Sequence, residues 1–133
     1  MKPISAKATR GLNIGSLVEA ADNSGARIVR IVSVKHGKST KKRQQYAKIA
    51  DWVKVSVRKG KPEMKGEVFD AVVVRLKKSW RRKTGERIAF SDNAVALLKD
   101  EKGNPKGTQI KGAVAREVLE RWSSVAKLAR IIV

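Results

Sequence analysis

Apolar residues are spread along the chain in short blocks, most of them only four to ten residues long: Leu17 to Ala21, Arg27 to Val34, Trp52 to Val57, Val68 to Lys77, Arg87 to Phe90 and Ala94 to Leu98. Their Val, Ile and Leu content and close spacing, with turn residues between them, predict several short strands closing into a small barrel or sandwich. Alternation is clearest over Trp52 to Arg58. There Val53, Val55 and Val57 face one way, and Lys54, Ser56 and Arg58 face solvent or phosphate. In Arg27 to Val34 the two arginines, Arg27 and Arg30, fall on opposite faces, which predicts a bulge or a strand that protrudes from the core.

Asp22-Asn23-Ser24-Gly25 and Gly103-Asn104-Pro105 supply turn chemistry. The connection from His36 to Lys48 is polar and basic with little to anchor it, so it is expected to extend from the body. Only the end of the chain has helical spacing: Val114, Val118, Leu119, Trp122 and Val125 recur at steps of three to four, with Glu117 and Arg121 spaced to pair on the outer face. Lys127 to Val133 is too short and branched to prolong that helix. At 133 residues and 41% hydrophobic content the chain suits one domain with one core.

Charge changes the picture more than size does. The formal net charge is +19, and the stretch Lys35 to Lys83 holds 17 Lys and Arg against 4 acids (Asp51, Glu63, Glu67, Asp70), a net of +13. A surface of that density repels itself, and a polyanion that sheds its counterions on contact offsets the repulsion. Nucleic acid is the partner this predicts. The absence of Cys excludes disulfides, thiolate metal sites and cysteine nucleophiles, and fits a reducing compartment. No apolar run reaches the roughly 20 residues of a membrane helix, and Met1 to Gly11 lacks the apolar centre of a signal peptide. The expected location is the cytoplasm, with no membrane partner.

Catalytic chemistry finds little support. His36 stands in a basic loop without a neighbouring carboxylate, Asp100 and Glu101 adjoin a turn, and Glu67 occupies the place after Gly66 where a phosphate-binding loop needs lysine. No cofactor or metal is expected. The run Lys77-Lys78-Ser79-Trp80-Arg81-Arg82-Lys83 is of another kind: guanidinium forks, ammonium charges and an indole face together suit RNA, with Trp80 either a stacking platform or a core residue. Trp122 lies on the apolar stripe of the predicted helix, and Trp52 suits either role. Lys41-Lys42-Arg43 and Lys59-Gly60-Lys61 place further basic clusters on successive connections, a layout for gripping several backbone segments of a folded RNA by shape.

Four ordered motifs sharpen this. Ala21-Asp22-Asn23-Ser24-Gly25-Ala26, Ala71-Val72-Val73-Val74-Arg75 followed by Lys78 and Arg81-Arg82, Phe90-Ser91-Asp92-Asn93-Ala94, and Gly107-Thr108 leading to Gly112-Ala113-Val114-Ala115-Arg116-Glu117 resemble the family of universal ribosomal protein fourteen of the large subunit. The likeness runs from about Gly15 to the C-terminus. Lys59-Gly60-Lys61-Pro62-Glu63, Lys78-Ser79-Trp80-Arg81-Arg82 and Trp122-Ser123-Ser124-Val125-Ala126 look like the archaeal and eukaryotic branch, whose eukaryotic cytosolic member is numbered twenty-three. Ala50-Asp51 departs from the family's usual Gly-Asp, which bears on the tightness of that turn.

The resemblance implies a mainly β fold: a five-stranded β-barrel with a projecting β-ribbon and a short C-terminal helical segment, spanning 15–133 after an N-terminal extension at 1–14. It implies a non-enzymatic constituent of the large ribosomal subunit that binds large-subunit rRNA near the factor-binding region and forms an intersubunit bridge to small-subunit rRNA. It further implies neighbouring large-subunit proteins and a C-terminal surface offered to a subunit anti-association factor. The RNA contacts expected are Lys41, Lys42, Arg43, Lys59, Lys61, Arg75, Lys77, Lys78, Trp80, Arg81, Arg82 and Lys83, with Asn23 and Arg27 beside the first turn. A basic barrel that coats DNA is the alternative that composition alone leaves open.

Overall fold

The computed structural model describes residues 2–37 and 41–133. The strands are β1 (Ala6–Lys7), β2 (Leu12–Asn13), β3 (Leu17–Ala20), β4 (Ala26–Val34), β5 (Tyr46–Ala47), β6 (Trp52–Gly60), β7 (Val68–Arg75), β8 (Trp80–Arg82), β9 (Arg87–Ile88), β10 (Ala94–Leu97) and β11 (Ile110–Val114). Two short helices, α1 (Arg116–Arg121) and α2 (Ser123–Ala126), and a last strand, β12 (Ala129–Ile132), complete the chain. Five strands close a barrel in the order β10-β3-β4-β6-β7, antiparallel except where β10 runs parallel to β3.

The alternation in β6 does what period two requires. Val53, Val55 and Val57 are buried in the same core as Val18, Val29 and Ile31, whereas Arg58 is exposed. The irregularity expected in Arg27 to Val34 is present as register shifts along the β4–β6 ladder, at Ala26/Ile28, Ile28/Val29 and Ile31/Ser33. In β7 every residue from Ala71 to Arg75 is buried, so both faces of that strand are covered. Outside the barrel α1 and β11 pack near β7, where Ala115 N–H donates to the Val74 carbonyl (3.3 Å), and the Asp51 carbonyl extends the β6–β7 ladder by accepting from Val73 N (3.1 Å).

The C-terminal region differs from the single helix expected. Val114 ends a strand, α1 is only six residues long, and Lys127 to Val133 contains β12, which runs parallel to β11. Helices this short are held by packing and not by propensity. Glu117 and Arg121 do not pair with each other. Glu117 is buried, and Arg121 instead donates to the Asp51 carboxylate (3.1 Å), the Ala50 carbonyl (3.2 Å) and the Lys2 carbonyl (2.6 Å). Trp122 is in the core as expected, its Nε1 donating to the Ala50 carbonyl (2.9 Å).

One further expectation changes. The basic connection is anchored at its end: Ala47 and Ile49 are fully buried, β5 pairs with β2, and the Gln45 amide accepts from Val34 N and donates to the Gly37 carbonyl. Of the part expected to reach outward, 38–40 lie outside the described residues. The N-terminal stretch is knitted in as well, through β1 on β8, β2 on β5, and Ser5 N donating to Glu120 Oε2 (3.2 Å). Ala50 takes φ +64°, so the turn keeps a left-handed residue without glycine.

Candidate nucleic-acid interface

The ribbon outside the barrel is the β8–β9 hairpin, which with β1 forms a three-stranded sheet in the order β1-β8-β9. Period two divides the basic run. Trp80 and Arg82 point inward and are buried, while Arg81 between them is exposed. Glu117 Oε1 accepts from Trp80 Nε1 (2.9 Å) and Arg82 Nε (3.0 Å), and its Oε2 accepts from Arg82 Nη2 (3.2 Å). Arg82 Nη2 also donates to the Val133 carbonyl (2.6 Å), so one guanidinium ties the hairpin to α1 and to the chain end. Trp80 further packs on Phe90, ring centroids 5.9 Å apart. Trp80 is therefore a core residue and not a stacking platform, and Arg82 is a buried brace and not an exposed phosphate ligand.

Arg75 is corrected in the same way. Its side chain forks onto the Asp92 carboxylate (Nε–Oδ1 2.9 Å, Nη2–Oδ2 3.1 Å), and Nη1 donates to the Lys111 and Ala113 carbonyls (2.6 and 3.0 Å). Those two carbonyls flank Gly112, at φ +81°, where a Cβ would stand 2.7 Å from Arg75 Nη1. The motifs around Arg75, Asp92 and Gly112 thus belong to one internal clamp. Asn23, though exposed, is also occupied: its Oδ1 accepts from Thr108 N (2.8 Å) and Gln109 N (3.2 Å), and its Nδ2 donates to Thr108 Oγ1 (2.8 Å). It joins the first turn to the last motif.

The remaining predicted cations, Arg27, Lys41, Lys42, Arg43, Lys59, Lys61, Lys77, Lys78, Arg81 and Lys83, are exposed. They fall in separate places. Arg27 and Lys59 line a cleft of about 440 Å³ with Lys111 and Glu19, and Lys61 follows directly, its N–H donating to the Gly25 carbonyl (3.1 Å). Arg43 lines a second cleft, about 410 Å³, with Arg10, Lys35, Lys48 and Tyr46. In that cleft Arg10 and Lys48 stand 5.4 and 6.0 Å from the Tyr46 ring centroid. Lys77 follows β7, its N–H held by Asn93 Oδ1 (2.9 Å). Trp52 is half-buried under Lys35 (4.8 Å) and edge-on to Trp122 (5.9 Å) and His36 (6.1 Å), which fits packing and not stacking.

Sequence reasoning missed Lys7 and Arg87. Lys7 lies opposite Arg81 in the β1–β8 pair, and Arg87 lies opposite Arg81 in β8–β9. Nothing local in the chain announces a contact between residues 7 and 81. It also missed Arg10, Lys35, Lys48 and Lys111, isolated basic residues that only the fold gathers. Among the described residues there is no group of three or more His, Asp or Glu able to hold a metal.

The family model described as ribosomal protein L14p/L23e matches residues 11–133. The chain is 59% identical to the large ribosomal subunit protein uL14 of Nanoarchaeum equitans, 50% to that of Methanothrix thermoacetophila and 49% to that of Halorubrum lacusprofundi, each over the full length of both chains. With the family model spanning all but ten of its residues, the chain belongs to the ribosomal protein L14p/L23e family.

Proposed function

We propose that the chain works as a rigid cationic clamp on large-subunit rRNA. It is a structural, non-enzymatic constituent of the large ribosomal subunit. In that particle its exposed Lys and Arg side chains neutralise backbone while the barrel fixes their relative positions. The observation that carries the reading is the division of labour among cations: Arg121 and the predicted Arg75 and Arg82 are consumed by internal carboxylates, and the remaining predicted cations are exposed. A protein that merely needed solubility has no use for so many exposed cations.

In this reading the chain works in the cytoplasm, at the subunit interface near the factor-binding region, bridging to small-subunit rRNA and touching neighbouring large-subunit proteins. Its C-terminal surface exposes Leu119, Ile131, Ile132 and Val133, apolar side chains suited to a protein such as a subunit anti-association factor. Competition at matched salt between folded large-subunit rRNA and duplex DNA tests the RNA claim. Recognition of RNA shape predicts that DNA competes poorly, and equal competition contradicts it.

A further inference from the structure

We propose that Lys7, Arg81 and Arg87 form a phosphate-binding row across the outer face of the β1-β8-β9 sheet, and that it takes the sugar–phosphate backbone of one rRNA strand lying across the three strands. This rests on the RNA-binding reading above and assigns a site to it.

Residues directly opposite in an antiparallel pair project to the same face. Lys7 is opposite Arg81, and Arg81 is opposite Arg87. The alternate set, Ala6 opposite Arg82 and Trp80 opposite Ile88, points inward to Glu117 and Phe90. All three cations are exposed, and among the described residues none is in an ion pair. The next positions on that face along β8 and β9 are Ser79, Lys83 and Ala89, none of them acidic. Arg87 Nη2 donates to Ser79 Oγ (3.1 Å), which holds its guanidinium over β8. With strands about 4.8 Å apart the row spans roughly 10 Å, so its three cations can meet successive phosphates of one strand.

Like charges opposite one another destabilise a sheet, so the isolated protein bears a cost that an anion removes. The opposite face explains how the row survives alone. The Arg82–Glu117 pair and the Trp80–Phe90 contact fix the hairpin, so the cations are presented with little left to order on binding. RNA suits the row better than an acidic protein segment does. The row runs across strands and not along an edge, β1 and β9 are two residues each and too short to template an added strand, and its three side chains offer no apolar anchor.

The test uses the full chain and a large-subunit rRNA transcript, with K7Q, R81Q, R87Q and the triple variant titrated against salt. Each lost phosphate contact lowers the slope of log K against log salt by about 0.7–0.9 and weakens binding about five- to eightfold at 0.1 M salt; the triple variant loses about two to three units of slope. A triple variant whose slope stays within about half a unit of a wild type that does bind overturns the row and leaves RNA binding standing. A wild type that ignores the transcript contradicts the functional reading itself. Melting without RNA gives a second readout: R81Q, which removes the central charge, raises Tm at low salt and loses that gain at high salt, and an unchanged or lower Tm contradicts a self-repelling row. Should the triple variant bind the transcript like wild type but lose polyglutamate, the partner is an acidic protein and the proposal falls.

Discussion

Glu117→Ala is the sharpest probe of how this chain sorts its cations. The carboxylate is 2% exposed and accepts three hydrogen bonds, one from Trp80 and two from Arg82, itself 7% exposed. Removing one partner of a buried ion pair costs about 3–5 kcal/mol, because the other charge stays desolvated without compensation. The Val133 carbonyl still accepts from Arg82, which limits the loss, while the orphaned Trp80 N–H adds to it. A total of about 3–5 kcal/mol is a large part of a typical domain's 5–15 kcal/mol. Urea unfolding followed by tryptophan fluorescence measures it. Arg82→Ala combined with Glu117→Ala is less destabilised than the sum of the two single variants, by about 1–3 kcal/mol. Being buried, the pair is screened little, so the loss persists in high salt. Neighbouring Arg81→Ala stays within about 0.5 kcal/mol of wild type. A Glu117→Ala loss under about 1 kcal/mol, or strict additivity with Arg82→Ala, would refute the assignment of Arg82 to the fold.

Gly112→Ala puts a Cβ at 2.7 Å from Arg75 Nη1 on a backbone at φ +81°, so it loosens the Arg75–Asp92 clamp and costs about 1–3 kcal/mol by urea unfolding; an unchanged midpoint contradicts the clamp. Ala50, fully buried at φ +64°, tolerates Gly within about 1 kcal/mol, since relief of the left-handed backbone offsets the lost methyl, whereas Val exceeds about 2 kcal/mol; equal midpoints for the two variants contradict this turn. Burial pushes the Asp22 carboxyl above its ordinary pKa, against the lowering effect of hydrogen bonds from Ser24 Oγ and Leu97 N. The folded state then holds a proton that the unfolded state releases, so this group's contribution to stability is greatest below the ordinary carboxylate pKa and is lost as pH rises through the folded value. Asp22→Asn keeps an oxygen for Leu97 N and lacks that titration, so Tm of wild type minus Tm of Asp22→Asn falls as pH rises through the acid range; a pH-independent difference contradicts the assignment.

The barrel strands were legible because burial imposes period two on them. Val53, Val55 and Val57 declare their face without help from the rest of the chain. The bulged strand was legible for the same reason, since Arg27 and Arg30 break the pattern where the ladder shifts register. The split between Arg81 and Arg82 was half legible: alternation separates them, but which one faces inward depends on Glu117, 35 residues away. The Glu117–Arg121 spacing is a valid helical signal that tertiary partners overrode, because Arg82 and Asp51 offer each residue an opposite charge in a less solvated place. In the last seven residues Ile131, Ile132 and Val133 are strand formers, and the pairing of β12 with β11 followed from a β propensity that helical reading of the preceding turn obscured. The cationic row was out of reach of sequence, since cross-strand register joins residues 7, 81 and 87 and no local pattern does.

Sedimentation of the native protein tests the central claim most directly. Through a high-salt gradient the chain is predicted to travel with the large ribosomal subunit, because contacts fixed by a rigid barrel and matched to folded RNA outlast the weakening of nonspecific charge attraction. Recovery of the chain at the top of the gradient, with large subunits intact below it, would contradict the account.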